Sequence, residues 1–229
     1  MDSNHPLTLH PIAFARNGFA EKFGIPRQSR EESLLETRIV FTPEYRVREA
    51  LRGIDGYSHL WLIWGFSGNR PHERWSPTVR PPRLGGNTRM GVFATRSPYR
   101  PNPLGLSSVR LLRVEETPTD GLTLLVSGAD LLNGTPIYDI KPYLTYTDLH
   151  PEATNGFAEA TKDYRLPVRW ETTEPDPRTK AEIEEILSQN PIPSYQNDPE
   201  RLYGMTYRDL EVHFLVAQNV VLVRKITKK

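Results

Sequence analysis

The sequence contains no cysteine. This absence excludes a disulfide framework, a thiolate metal site and a cysteine nucleophile. Long apolar runs are absent as well, because no stretch approaches the roughly 18 residues of a membrane-spanning helix, and the first residues lack the basic and apolar parts of a signal peptide. The six histidines are scattered and predict no metal site. We therefore expect a cytoplasmic protein that is not inserted in a membrane and holds no metal.

Lysine is scarce in the first 149 residues, which contain two lysines but sixteen arginines. The whole chain is nearly neutral, with 29 basic and 28 acidic side chains, so it is not a uniformly basic nucleic-acid coat protein. Residues 70–100 nevertheless carry seven arginines and one glutamate, a net charge of +6. Because the planar guanidinium group binds phosphate or carboxylate through two parallel hydrogen bonds, this segment predicts a local anion-binding surface.

Helical periodicity is also scarce before residue 150, where short β-branched and aromatic runs are separated by Gly, Pro and Asn. The spacing between these runs is too short for repeated crossover helices, which favours an antiparallel barrel or sandwich over a parallel sheet. One short helix is predicted over residues 45–51. Strands are predicted at residues 38–42, 57–66, 90–95, 107–114, 122–127 and 135–140.

The composition becomes more polar near residues 147–165, and we place a domain boundary there, between residues 1–150 and residues 151–229. The predicted fold class is mainly β, an antiparallel β-barrel followed by a small α+β C-terminal domain. The elements predicted in this second domain are a strand over residues 167–171, a helix from about 179 to 189 opened by a capping box at Thr179 and Glu182, and a β-hairpin over residues 210–223.

Residues 77–105 combine six prolines, four glycines and five arginines. Prolines restrict the unfolded chain and glycines permit close backbone approach, so a loop of this composition can be rigid without regular secondary structure. A rigid loop that carries arginines is a good binding surface. The alternative is a solvated connector whose arginines are ordinary surface charge.

Six sequence motifs follow one another over most of the chain. They are FGIPRQ at 23–28, GIDGYSHLW at 53–61, RPPRLGGN at 80–87, GVFATRS at 91–97, RPNPLG at 100–105 and DIKPY at 139–143. In these motifs the chain resembles the TsaA-like (TrmO-type) family of tRNA adenine-N6-methyltransferases. The residues themselves argue against a Rossmann cofactor site or a triphosphate site, because no Gly-x-Gly-x-x-Gly fingerprint follows a strand and no P-loop motif is present.

The resemblance implies a fold and a reaction. Members of the family have an antiparallel TsaA-like β-barrel, usually as a homodimer, and transfer a methyl group from S-adenosylmethionine to tRNA. The acceptor is N6 of N6-threonylcarbamoyladenosine at position 37, next to the anticodon (t6A to m6t6A). For this chain, the resemblance implies S-adenosylmethionine as the cofactor, a tRNA anticodon stem-loop as the partner, and a barrel over residues 1–150 that binds the cofactor and catalyses the reaction.

The resemblance also implies cofactor contacts in separate stretches of the sequence. Two departures are visible: Ser67 and Gly68 stand where members often have His-Gln, and Asn133 stands where they often have Asp. The change at Asn133 removes an acceptor for a ribose hydroxyl or an amine. Arg96 or Arg27 is a candidate partner for the cofactor carboxylate. The implied contacts are Pro26, Arg27, Gln28, Ser67, Gly68, Arg96, Leu106, Asn133, Gly134, Thr135 and Pro136.

Methyl transfer to an adenine N6 requires a group that accepts the N6 proton and an in-line approach to the methyl carbon. The candidates are Asp139 as proton acceptor, Tyr143 for base stacking, and Lys141 as a charge for a substrate carboxylate or phosphate. A structural carboxylate paired with an arginine is the alternative role for Asp139. For His59, a hydrogen-bonded core position is favoured over a general base.

The arginine loop is expected to bind RNA phosphates, so that tRNA affinity falls with salt. The side chains assigned to this role are Arg80, Arg83, Arg89 and Arg100, and Trp75 is a candidate for stacking on a base. Two alternatives stay open. One is a non-catalytic β-barrel module that binds RNA or a nucleotide, and the other is a methyltransferase that acts on a small molecule or a protein.

Overall fold

A computed structural model describes residues 7–30, 32–69, 75–85, 87–192, 196 and 198–229. Arg70 and Arg74 of the arginine-rich segment lie outside these residues, as does the side chain of Arg83. The strands are β1 (Ala13–Arg16), β2 (Glu36–Phe41), β3 (His59–Gly65), β4 (Thr78–Val79), β5 (Met90–Gly91), β6 (Leu104–Thr117), β7 (Gly121–Ser127), β8 (Pro136–Pro142), β9 (Val168–Trp170), β10 (Tyr203–Tyr207), β11 (Leu210–Ala217) and β12 (Val220–Lys228). The helices are α1 (Thr145–Asp148) and α2 (Pro177–Ser188), with 3-10 turns at Pro43–Tyr45, Arg48–Leu51, Ile54–Gly56, Pro82–Leu84, Val92–Ala94 and Gly156–Thr161.

Six strands close into a barrel in the order β1-β2-β7-β6-β3-β8. Every neighbouring pair in this ring is antiparallel. The prediction that the chain is mainly β is therefore confirmed. The sequence pattern missed β1, because two of its four residues are alanines, which have a low preference for strands; Ala13 and Ala15 are nevertheless completely buried.

The barrel core follows the alternation of side chains along β3. Leu60, Leu62 and Trp64 are buried, whereas the residues between them are only partly buried and lie on the outer face. The indole of Trp64 lies across Gly105 on β6, where a Cβ atom would come within 2.2 Å of the ring. Glycine at 105 is therefore required for this packing, because any larger residue would displace a core tryptophan.

Two local predictions in the first half are wrong. The strand predicted at residues 90–95 ends at Gly91, and the chain then turns because the amide and hydroxyl of Thr95 both donate to the Val92 carbonyl, at 3.1 and 2.9 Å. The helix predicted at residues 45–51 is replaced by two separate 3-10 turns. Val47, a β-branched residue in extended conformation, interrupts them.

The second sheet has the order β10-β11-β12-β9 and packs against α2. The capping box predicted for α2 is wrong: Pro177 is the first helical residue, and the cap is Asp176, whose side chain accepts the Thr179 amide at 3.1 Å. The predicted hairpin is confirmed as β11 and β12. Its turn residues Gln218 and Asn219 have φ of 51° and 59°, as a type I′ turn requires.

The core of the C-terminal sheet also contains residues from the beginning of the chain. Phe19 and Leu35 are buried in the same cluster as Ile183 of α2 and Phe214 of β11. The division at residue 150 remains a prediction. The segment between β1 and β2 packs in the C-terminal core, and backbone hydrogen bonds of Arg30 and Leu35 to Gly128 join it to the barrel after β7. This segment carries Pro26, Arg27 and Gln28, so it brings part of the implied cofactor site against the barrel.

Candidate active site

The candidate site lies at one rim of the barrel. Because β3 is antiparallel to both of its neighbours, its end meets the beginnings of β6 and β8: Gly65 pairs with Leu104, and Trp64 pairs with Ile137. The loop after β3 and the loop before β8 therefore lie side by side. Of the eleven implied cofactor residues, Ser67, Gly68, Leu106, Asn133, Gly134, Thr135 and Pro136 belong to this rim.

The loop before β8 is fixed by hydrogen bonds to the N-terminal segment. The amides of Asn133 and Gly134 donate to the carbonyls of Phe19 and Ala15, at 2.9 and 2.8 Å. The Asn133 side chain accepts the Asn17 amide at 3.2 Å, so the amide that replaces the family's carboxylate has a structural use. Gly134 has a φ of 82°, and nothing lies within 4 Å of the position of a Cβ atom. The loop thus has open space beside the Cα atom of Gly134.

The loop after β3 contacts this first loop directly. The hydroxyls of Ser67 and Thr135 lie 3.4 Å apart. A Cβ atom at Gly68 would come within 2.6 Å of Lys22 Cε and 3.2 Å of Leu132 Cδ2, so the backbone itself lies close to its neighbours. Both Ser67 and Gly68 are exposed. This geometry favours contacts through the backbone at these positions, which makes the change from the family's His-Gln chemically mild.

Arg96 and Gln28 contact each other, whereas the Arg27 guanidinium contacts the chain after α2. The Arg96 guanidinium donates to the Gln28 side-chain oxygen at 2.6 Å, and both residues are exposed. The Arg27 guanidinium donates to the carbonyls of Asn190 and Ile192, at 3.3 and 3.2 Å, beyond the end of α2. Pro26 is buried. The structure therefore favours Arg96 over Arg27 as the partner for a ligand carboxylate.

Sequence reasoning missed one carboxylate in this region, Asp130. The Ser107 hydroxyl accepts the Trp64 indole N–H at 2.9 Å and donates to Asp130 at 2.5 Å. Burial raises the pKa of the Asp130 carboxyl, and the hydrogen bond from Ser107 and the charge of Arg96 oppose this shift. The signal available in the sequence was a single acidic residue between Ala129 and Leu131, both apolar.

Two predicted catalytic residues, Asp139 and Lys141, lie on β8 along the outer face of the barrel below the rim. Ile63 on β3 is paired with Leu106 on one side and Asp139 on the other, so the implied cofactor contact and the implied proton acceptor share one row. Lys141 Nζ lies 3.0 Å from Asp139 Oδ2, while Asp139 Oδ1 accepts the Ile140 amide at 2.9 Å. The carboxylate is thus paired with lysine, not with the arginine considered as an alternative.

Tyr143 lies further along the same face in an aromatic group. Its ring centroid is 5.3 Å from that of Trp61 and 6.2 Å from that of His59. The expectation of a core position for His59 is wrong, because the residue lies on the outer face and is half-buried. Its Nδ1 contacts the Ser58 hydroxyl at 2.9 Å, and its buried Nε2 has no hydrogen-bond partner among the described residues.

The arginines assigned to RNA lie on or near a two-stranded ribbon formed by β4 and β5, which together with Arg80 and Arg89 we call the arginine ribbon. Arg80 follows β4 and Arg89 precedes β5, and both side chains are exposed. Arg100 differs, because its guanidinium donates to the Thr95 carbonyl at 3.0 Å and so also supports the backbone. The backbone of Arg83 belongs to a 3-10 turn.

A groove of about 960 Å³ lies elsewhere, between the barrel and α2, and none of the implied cofactor residues borders it. Two pairs of its polar groups are bonded within the protein: Arg178 with Glu36 at 2.8 Å, and Glu185 with the Ser33 hydroxyl at 2.6 Å. The groove is therefore the seam between two parts of the chain. In the described residues no group of His, Asp or Glu suits a metal ion, and no helix is both long and apolar enough to cross a membrane.

Comparisons with known proteins match nearly the whole chain. The family model of the tRNA-methyltransferase O N-terminal domain matches residues 14–149, and that of the TrmO C-terminal domain matches residues 164–229. A tRNA (adenine(37)-N6)-methyltransferase from Eikenella corrodens is 45% identical over 174 residues, 74% of this chain and 97% of the relative. The Escherichia coli protein of the same name is 36% identical over 217 residues, 90% of this chain and 91% of the relative.

A Pseudomonas aeruginosa protein, named as a putative S-adenosylmethionine-dependent methyltransferase, is 40% identical over 217 residues, 90% of this chain and 91% of the relative. A crystal structure of TrmO from P. aeruginosa superimposes with a TM-score of 0.79 at 31% identity and covers 100% of both chains. The class of protein is thus an enzyme, a tRNA methyltransferase. The chain belongs to the TrmO family, which confirms the resemblance seen in the six motifs.

Proposed function

We propose that the chain transfers a methyl group from S-adenosylmethionine to N6 of adenosine 37 in tRNA, and that its substrate carries the N6-threonylcarbamoyl group. The observation that supports this proposal is the row formed by Leu106, Ile63 and Asp139, in which the carboxylate that we propose as proton acceptor shares one strand register with an implied cofactor contact. The names of the relatives from E. corrodens and E. coli support the position of methylation.

The functional groups of the implied cofactor residues support S-adenosylmethionine as the ligand. Arg96 offers a guanidinium to the carboxylate of the cofactor, and Gln28 holds that guanidinium in place. The open side of Gly134 admits a ligand next to the loop backbone. The amides of Asn133 and Gly134 are already bonded within the protein, as are the carbonyls of Leu132 and Thr135. The loop therefore offers the carbonyl oxygens of Asn133 and Gly134, and a carbonyl oxygen suits the amino group of adenine.

Asp139 is the proposed acceptor of the proton that N6 loses during methyl transfer. When bound, the sulfonium of S-adenosylmethionine supplies an electrophilic methyl carbon. Transfer to N6 releases the N6 proton, and an Asp139 carboxylate oxygen accepts it. Lys141 neutralises Asp139 in the free protein, at 3.0 Å. The carboxylate of the threonylcarbamoyl group gives Lys141 a second partner, and this exchange frees Asp139 to accept the proton.

The proposal includes where and in what form the enzyme acts. The arginine ribbon binds the anticodon stem-loop of the tRNA. The enzyme acts in the cytoplasm and is a homodimer. Support for the dimer comes from Leu104 and Leu106 on the outer face of β6, which are 37% and 53% exposed beside the site. Sedimentation equilibrium tests this part, with the mass of two chains expected.

A methyl-transfer assay on total tRNA, followed by mass analysis of nucleosides, tests the function. The tRNA is prepared with and without the threonylcarbamoyl modification. We expect the methylated threonylcarbamoyl nucleoside only from the modified tRNA, and a loss of about 10²-fold or more in rate for Asp139→Asn. Methylation of unmodified tRNA at an equal rate contradicts the proposed substrate. Calorimetry that shows no S-adenosylmethionine binding by the folded protein favours a non-catalytic RNA-binding module.

A further inference from the structure

Two large aromatic side chains are exposed together on the arginine ribbon. The ring centroids of Trp75 and Phe93 are 6.1 Å apart, with an angle of 31° between the ring planes. Their exposed fractions are 52% and 72%. We call this pair the aromatic platform. Its size and exposure distinguish it from an ordinary surface aromatic, since two adjoining rings offer a continuous apolar surface to a ligand.

The backbone beneath the platform is well anchored. Val92, next to Phe93, is 1% exposed, and its amide donates to the Pro77 carbonyl at 2.9 Å. β4 and β5 pair directly between the two aromatic residues, with Thr78 opposite Gly91. An aromatic ring on an anchored backbone loses little conformational entropy when it stacks on a flat ligand. The platform is therefore prepared for stacking before any ligand arrives.

The charge around the platform selects the class of ligand. From Trp75 to Val114 the sequence contains no Asp or Glu, while Arg80 and Arg89 stand at the far end of the ribbon. Neither arginine forms an ion pair within the part of the chain that the structure describes. A flat apolar ligand attached to a polyanion matches both features, and an unpaired base of a nucleic acid is such a ligand.

We propose that the Trp75–Phe93 platform stacks on an unpaired nucleobase of the bound RNA while Arg80 and Arg89 contact its phosphates. This assignment rests on the proposed function, because it takes the RNA to be the loop of a tRNA. A second copy of this chain is a poorer occupant, because a two-fold contact through this surface brings the arginines of both copies together without intervening carboxylates.

Substitution of Trp75 tests the platform. Trp75→Ala is expected to weaken binding of total tRNA by about 5- to 150-fold, the range for loss of one stacked base. The slope of log K against log salt is expected to stay unchanged, since the arginines that pair with phosphates are still present. Trp75→Phe keeps a ring and is expected to retain most of the affinity. Tyr57→Ala is the matched control, because Tyr57 is also exposed but precedes β3 at the opposite barrel end.

Two further readouts keep the test independent of folding and of catalysis. Phe93→Ala repeats the affinity measurement at a side chain with little packing to lose. Single-stranded oligoadenylate is expected to quench the tryptophan fluorescence of the wild type more than that of Trp75→Phe, whereas duplex RNA of equal length leaves the two alike. Calorimetry with S-adenosylmethionine and the methyl-transfer assay are carried out on the same variants. They distinguish a loss of cofactor binding or catalysis from a loss of RNA stacking.

The results that overturn the platform are specific. The first is an unchanged tRNA affinity in both Trp75→Ala and Phe93→Ala. The second is equal fluorescence quenching of the wild type and Trp75→Phe by oligoadenylate. The third is that Trp75→Ala converts a dimer to a monomer while the tRNA affinity of each chain stays unchanged. Binding of oligoadenylate with loss of quenching in Trp75→Phe supports the platform even when no methyl group is transferred, and then the proposed enzyme function alone fails.

Discussion

Asp130 shows at the residue scale how one side chain connects the barrel core to the candidate site. Its carboxylate ends a chain of hydrogen bonds from Trp64 through Ser107, and it lies within the electrostatic reach of Arg96. Because burial raises its pKa above the ordinary value of 3.8, the folded protein binds this proton more tightly than the unfolded chain does. The carboxyl group therefore makes folding less favourable once it must ionise.

We expect Asp130→Asn to change the pH dependence of stability. The contribution of Asp130 is most favourable below pH 3.8 and declines as pH rises through the raised pKa, whereas asparagine does not titrate. The free energy of unfolding of the variant, minus that of the wild type, should therefore increase as the pH rises above about 4. Urea unfolding across this range measures it, with exposed Asp209→Asn as control. Parallel curves for wild type and variant contradict the prediction.

Arg96 and Arg27 are expected to differ although the resemblance implies both as cofactor contacts. Arg96→Ala should weaken S-adenosylmethionine binding by about 10- to 150-fold, the usual range for removal of a charge-assisted hydrogen bond. Arg27→Ala should mainly lower the unfolding midpoint, because its guanidinium holds the Asn190 and Ile192 carbonyls. Calorimetry and thermal unfolding of both variants separate the roles. A larger loss of affinity in Arg27→Ala reverses this assignment.

The candidate site could be predicted from the sequence only where motifs carried it. The DIKPY motif contains Asp139 and Lys141, and the family resemblance implied the loop at Asn133, but the partners of these residues depend on strand register, which no motif contains. The ion pair of Asp139 with Lys141 follows from two positions that share one face of β8. Asp130 could not be recognised as part of the site, since its contacts come from β6 and from the segment before β2.

At the element scale, a buried carboxylate fastens α2 to the C-terminal sheet. Glu182 is completely buried and accepts hydrogen bonds from the Tyr207 hydroxyl at 3.1 Å and the Arg208 guanidinium at 2.8 Å. Burial and the nearby Glu182 charge raise the pKa of Tyr207, so its hydroxyl remains a donor throughout the ordinary pH range. The sequence pattern assigns Glu182 to a helix cap, because local spacing alone does not reveal a partner on a distant strand.

Removal of this carboxylate should destabilise the C-terminal sheet. We expect Glu182→Ala to lower the free energy of unfolding by about 2 to 3 kcal/mol, because a buried hydroxyl and a guanidinium lose their acceptor. Glu182→Gln keeps one acceptor and should cost less. Glu174→Ala, which breaks only a half-exposed pair with Lys180 at 2.8 Å, is the control and should change stability by less than about 1 kcal/mol. Equal losses in Glu182→Ala and Glu174→Ala contradict this account.

At the scale of the whole molecule, the nearly neutral net charge hides a basic segment in an otherwise acidic chain. Residues 70–100 carry a net charge of +6 in a chain whose total is +1, so the remainder is negative. An acidic remainder disfavours non-specific coating of RNA, which agrees with the proposal that RNA contacts the arginine ribbon. The long strands with clear alternation are the elements that the sequence predicts best. The arginine ribbon consists of only two pairs of backbone-paired residues, Thr78 with Gly91 and Val79 with Met90. Such short strands show too little alternation of polar and apolar residues to be recognised as a two-stranded ribbon.

Salt dependence should identify the ribbon as the tRNA-binding surface. Replacement of Arg80 and Arg89 by alanine should weaken tRNA binding most at low salt and reduce the slope of log K against log salt by about 0.7 to 0.9 for each phosphate that is no longer neutralised. Arg52→Ala is the matched control, because Arg52 is equally basic and exposed but precedes β3, at the end of the barrel opposite the ribbon. Filter binding at several salt concentrations measures the slopes of the wild type, Arg80→Ala, Arg89→Ala and Arg52→Ala. If Arg52→Ala lowers the slope as much as Arg80→Ala or Arg89→Ala, basic side chains anywhere on the surface contribute equally to RNA affinity. The proposed binding of the anticodon stem-loop at the arginine ribbon is then wrong.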